Sequence, residues 1–169
     1  MSAPRLLIAG VGNVFLGDDG FGVEVVRQLA GRPWPSGVSV RDFGVRGLDL
    51  AYALLDGYDA AILVDATQRG RPPGTLYVLE PDAEPADAGQ LRLETHGMDP
   101  ARVLGFVRAM GEGPLHIRVV GCEPTTFGDE DEPLMGLSEE VRAAIAPAVT
   151  IIGDLVRELT SHGGRRAHA

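Results

Sequence analysis

The chain contains no lysine, a single cysteine and few aromatic residues, and no apolar run in it is long enough to cross a bilayer. All 15 basic residues are arginine, set against 24 acidic residues for a net charge of −9. That balance disfavours a nucleic-acid surface, which needs clustered cations to neutralise phosphates. A lone Cys122 excludes an intramolecular disulfide and a cysteine-based zinc finger, and it fits a reducing compartment. The run at residues 5–10 lacks a basic segment ahead of it and falls far short of the ~20 residues of a membrane span, so a cytoplasmic protein with no membrane partner is expected. Aromatics at 5% within a 44% hydrophobic content point to an aliphatic core of the α/β kind. The 169 residues suit one domain, 1–169, with a frayed tail over 160–169, and a monomer is expected.

Residues 5–10 read as a buried parallel strand ending in a glycine-rich turn. A helix follows with Val25, Val26, Leu29 and Ala30 on one face, capped by Asp18 or Asp19. Residues 38–43 alternate as a half-exposed strand, 47–55 form a short helix, and 60–65 form a central strand ending in Asp65. The strand at 74–79 comes too soon for a helical crossover and must run antiparallel. Residues 81–95 lack a period and read as a loop. Asp99-Pro100 starts a helix that carries Val103, Val107 and Met110 on one face and stops at Gly111. A strand at 115–121 follows, and Pro147 divides the closing helical region into 138–145 and 147–160. The order predicts a three-layer α/β/α sandwich around a mostly parallel, mixed five-stranded sheet.

In such sheets ligands gather at the carboxyl ends of the strands. The Gly10-Val11-Gly12 turn is not a dinucleotide loop, because Phe15 occupies the place of the third glycine. Gly17-Asp18-Asp19-Gly20 offers two carboxylates where one suffices as a helix cap. Asp65 reads either as a turn cap or as a ligand. A winding that sets the first and third strands side by side brings Asp19 and Asp65 together, and two acids in one pocket need a cation or a shared proton. His96 would complete an O,O,N set suited to Zn²⁺, Ni²⁺ or Mn²⁺. Cys122, with no cation fixed beside it by the sequence, reads as a small buried residue rather than a nucleophile.

The block Gly10-Val-Gly-Asn-Val-Phe-Leu-Gly-Asp-Asp-Gly-Phe-Gly-Val23 resembles the N-terminal signature of the hydrogenase maturation proteases. The likeness continues through Asp42-Phe-Gly-Val-Arg-Gly47, Ile62-Leu-Val-Asp65-Ala, His96, Val119-Val-Gly-Cys-Glu-Pro124 and Gly136-Leu-Ser138. The resemblance implies an endopeptidase that trims the C-terminal extension of the [NiFe]-hydrogenase large subunit precursor. It implies Asp19, Asp65 and His96 as ligands of a divalent metal, with nickel supplied by the substrate and Zn or Cd able to substitute in vitro. Asp19 and Asp65 are the expected catalytic residues, by metal-assisted or aspartate chemistry, and Asp42 is a group at the rim. A precursor-binding checkpoint that does not cut, or a peptidase of the same fold with another substrate, stands as the alternative.

Overall fold

The computed structural model describes residues 3–81, 99–111, 113–128 and 131–161. The expected loop at 81–95, beyond its first residue, and His96 lie outside the described residues. The elements run β1 (Leu6–Val11), α1 (Phe21–Ala30), β2 (Val38–Gly44), α2 (Gly47–Leu54), β3 (Ala60–Ala66), β4 (Leu76–Leu79), α3 (Pro100–Ala109), β5 (His116–Cys122) and α4 (Glu139–Ser161). The sheet order is β2-β1-β3-β5-β4, parallel throughout except for β4, which pairs antiparallel with β5.

Alternation along the strands builds a separate core on each face. Leu6, Ile8, Ile62, Val64, Val120 and Cys122 pack with α1 and α4. Leu7, Ala9, Ala61, Leu63 and Ile117 point the other way, against α2 and α3. The sandwich therefore has helices on both faces, as the sequence predicts. Asp99 caps α3 by accepting from the Ala101 N–H at 3.0 Å, also as predicted. Among the described residues no helix is long and apolar enough to cross a membrane.

Several expectations are corrected. α4 runs unbroken through Pro147. Pro147 lies on the exposed face, where the carbonyl deprived of its donor can turn to water. The buried side carries Val141, Ile145, Val149, Ile152, Leu155, Val156 and Leu159, and at about 1.5–3 kcal/mol for each such side chain this outweighs the ~3 kcal/mol cost of an interior proline. Thr160 and Ser161 belong to the last turn of α4 rather than to a tail. Ala30 is exposed, and Phe21 and Val23 join Val25, Val26 and Leu29 in the core instead. Met110 is 58% exposed because α3 ends at Ala109, before its face returns to the sheet.

The topology fixes where a site can form. From β1 the chain winds through α1 to β2 on one side, then through α2 on the opposite face to β3 on the other side. The crossovers diverge between β1 and β3, leaving a crevice at their carboxyl ends. α1 approaches closely there: a β-carbon on Gly22 would stand 1.9 Å from the Val64 carbonyl oxygen, so only glycine lets the helix lie against β3.

Candidate active site

The loop after β1 is shaped by short-range bonds. The Asn13 side chain accepts from the Phe15 N–H at 2.9 Å, and the Asn13 carbonyl accepts from the Leu16 N–H at 3.1 Å. The chain then makes one 3₁₀ turn, Gly17–Gly20, before α1 begins. That turn separates the fates of two adjacent acids.

Neither Asp18 nor Asp19 caps α1, contrary to expectation; the capping position is Gly20, which has no side chain to offer. Asp18 is 1% exposed and turned inward. Its carboxylate accepts from the Thr125 N–H at 2.8 Å, the Ser138 N–H at 2.7 Å and the Ser138 hydroxyl at 2.9 Å. It therefore ties the loop after β5 and the start of α4 to the 3₁₀ turn. Burial strips this carboxylate of water, and these donors are what make the burial tolerable.

Asp19 points the other way and is half-buried; its Oδ2 accepts from the Asn13 N–H at 2.8 Å. Burial raises its pKa above the ordinary carboxylate value, while the Asn13 bond works in the opposite direction. Asp65, at the end of β3, is raised well above that value, first by burial, then by the charge of Asp19 and, more weakly, of Asp99. The Ala66 N–H opposes the shift. Both acids flank Gly12, at which a β-carbon would stand 1.9 Å from the Asp19 carbonyl oxygen and 3.8 Å from Asp65 Oδ1.

The structure thus brings Asp19 and Asp65 together at the crevice between β1 and β3. Asp42 sits at the end of the neighbouring β2, exposed, with Oδ1 accepting from the Gly44 N–H at 2.8 Å, so it orders its own turn. Among the described residues no three His, Cys, Asp or Glu side chains gather into a metal-holding group. Two carboxylates, each oriented by a backbone N–H and each costly to ionise, are nonetheless the donor chemistry that a divalent cation relieves.

Cys122 is buried, and burial together with the charges of Asp18 and Glu123 pushes its thiol up to about 12, which removes it as a nucleophile. Glu123, to which the sequence assigns no role of its own, anchors the loop that follows β3. Only 3% exposed, it accepts from the Arg69 and Arg71 N–H groups, each at 2.9 Å, and from the Tyr77 hydroxyl at 2.6 Å. An acid directly after a buried strand was its one signal.

The family model HycI, hydrogenase maturation protease, matches residues 23–155. The hydrogenase expression/formation protein HoxM of Azotobacter vinelandii is 34% identical over 160 residues, covering 94% of this chain and 75% of its own. The hydrogenase maturating endopeptidase HybD of E. coli superposes with a TM-score of 0.71 at 30% identity, covering 91% of this chain and 93% of its own. A hydrogenase 2 maturation peptidase from a Thaumarchaeota archaeon superposes with a TM-score of 0.69 at 32% identity, covering 90% and 98%. The chain accordingly belongs to the hydrogenase maturation proteases and is a peptidase of that family.

Proposed function

We propose that the protein removes the C-terminal extension of a nickel-loaded [NiFe]-hydrogenase large-subunit precursor, and that the nickel belongs to the substrate. The observation that carries this reading is the pair Asp19 and Asp65, two carboxylates whose ionised forms are disfavoured by burial and, at Asp65, by each other's proximity. Such a pair is poor at standing empty and suited to receiving a cation that arrives with its ligand.

Asp19 and Asp65 hold the ion, with His96 as the third ligand that the family resemblance implies, and Zn or Cd can stand in for nickel in vitro. When bound, the ion supplies polarisation of the scissile carbonyl. The chain's own residues do the remainder. The Asn13 N–H fixes Asp19, and the Ala66 N–H fixes Asp65, so each carboxylate is oriented while retaining acceptor capacity. A carboxylate oxygen not engaged by the ion takes a proton from water as its oxygen adds to the carbonyl carbon, and the proton passes to the departing amine as the C–N bond breaks. Asp42, at the end of β2, lies at the rim where the extension would enter.

The test is mass spectrometry of the precursor after incubation with the protein. A nickel-loaded precursor is expected to lose its extension, and a nickel-free one to stay intact. A loaded precursor of unchanged mass would leave only a binding role.

A further inference from the structure

The loop leaving β3 passes over the end of β5 to reach β4 and carries two exposed arginines, Arg69 and Arg71. It has no regular structure, yet it is held firmly. The backbone N–H groups of Arg69, Gly70 and Arg71 all converge on the buried Glu123 carboxylate. Three successive N–H groups around one anion form a nest, and here a side chain of the protein fills it. The Tyr77 hydroxyl adds a further bond at 2.6 Å, and the Arg69 guanidinium lies over the Tyr77 ring, 5.7 Å from its centre.

This anchoring uses the arginines' backbone and leaves their charges outward. Among the described residues neither guanidinium makes an ion pair, although acids outnumber bases by 24 to 15 in the chain. Glu123, the nearest acid held by this loop, is turned inward and occupied. Two cations on an anchored backbone, neither paired with a carboxylate among the described residues, are free to meet an acid from outside on a protein of net charge −9.

We infer that Arg69 and Arg71 form a subsite for a carboxylate of the substrate polypeptide, held beyond the scissile bond. The inference rests on the peptidase reading above. β3, which carries Asp65, and β4, beside which the arginines stand, are separated by one strand, which at the usual spacing is roughly 10 Å. An extended peptide covers that in about three residues, so the carboxylate sits on a residue about three positions from the cleaved bond or at a chain end close to it. A polyanion is disfavoured by the overall negative charge; a single carboxylate against two guanidinium groups is not. Both an acidic side chain and a C-terminal carboxylate meet this requirement.

Three N-acetylated, unlabelled hexapeptides of one Ala/Gln backbone separate these sources in the full-length protein: one with an internal Glu and an amidated end, one with a free carboxyl end, and one amidated and neutral. Isothermal titration calorimetry at low salt is expected to show at least one of the charged peptides binding roughly five-fold more tightly than the neutral one, the scale of one good ion pair. The preference is expected to vanish in Arg69→Ser/Arg71→Ser, whose backbone N–H groups still satisfy Glu123, so that folding is retained. Equal binding of all three peptides, including none measurable, overturns the subsite, as does a preference that survives the double substitution. Failure of the parent protein to cut a nickel-loaded precursor would instead overturn the peptidase reading, so the two failures are told apart.

Discussion

Gly12 lies so close beneath Asp19 that a β-carbon on it would stand 1.9 Å from the Asp19 carbonyl oxygen, and it would also approach Asp65 Oδ1 at 3.8 Å. The glycine has φ +136°, a conformation that side chains rarely adopt, so strain and collision coincide at one residue. Gly12→Ala is expected to push Asp19 out of register with Asp65 and to lower cleavage by about 100-fold, the scale of a misplacement of 1 Å. Precursor cleavage measured beside a thermal melt checks this; full activity in a folded Gly12→Ala protein would show that the placement of Asp19 does not matter.

Asp19→Asn and Asp65→Asn each retain shape and remove a charge. Cleavage is expected to fall by roughly 10²–10⁴-fold in each, the range of a lost acid or base. Asp42→Asn is expected to fall far less, since its carboxylate is engaged with the Gly44 N–H of its own turn. Precursor processing followed by gel shift ranks the three, and equal losses would place Asp42 in the chemistry.

Asp65 also makes a pH prediction for the metal-free protein. Its folded pKa lies well above the unfolded one because burial and Asp19 penalise the charged form. The stability it contributes is then full below the ordinary carboxylate value and is lost as pH rises through the raised folded value. Asp65→Asn is therefore expected to melt higher than the parent at neutral pH, with the gap closing in acid, and added Cd²⁺ is expected to raise the parent's melt and not the variant's. Melting curves across pH decide it; a variant less stable than the metal-free parent at neutral pH would contradict the assigned direction.

Glu123 behaves oppositely. Its hydrogen bond from Tyr77 and those from the 69–71 backbone hold its pKa below the ordinary value, against the cost of burial. Its stabilisation is present above the unfolded pKa and is lost as pH falls through the lower folded one. Glu123→Gln is expected to lower the melting temperature at neutral pH, with the difference shrinking in acid. A constant difference at every pH would show that charge is not what holds the loop.

Asp18 makes a structural prediction. Asp18→Asn should cost about 1–3 kcal/mol by weakening its bonds to the Thr125 and Ser138 N–H groups and the Ser138 hydroxyl. Denaturant unfolding measures it, and an unchanged midpoint would refute the anchoring role.

Layering, strand direction and the Asp19–Asp65 meeting are legible in the sequence because each follows from a local pattern and a winding rule. The apolar run ending in Asp65 identifies a central strand, and the short 67–75 link requires β4 to turn back. The division of labour within Asp18-Asp19 is not legible, because it depends on Ser138, 120 residues away, donating to Asp18. Glu123 escapes for the same reason, its partners lying 46 to 54 residues distant. Pro147 misleads because a local rule cannot register how much apolar surface the rest of α4 buries. Asp42 is a rim acid only by the family resemblance, and only the Gly44 bond reveals that its carboxylate orders its own turn.

The central claim is that Asp19 and Asp65 receive one cation between them. Anomalous diffraction from a crystal of the protein soaked in Cd²⁺ tests it most directly. One peak shared by the two carboxylates is the expected result, whereas peaks lying only elsewhere, or none, would contradict the account.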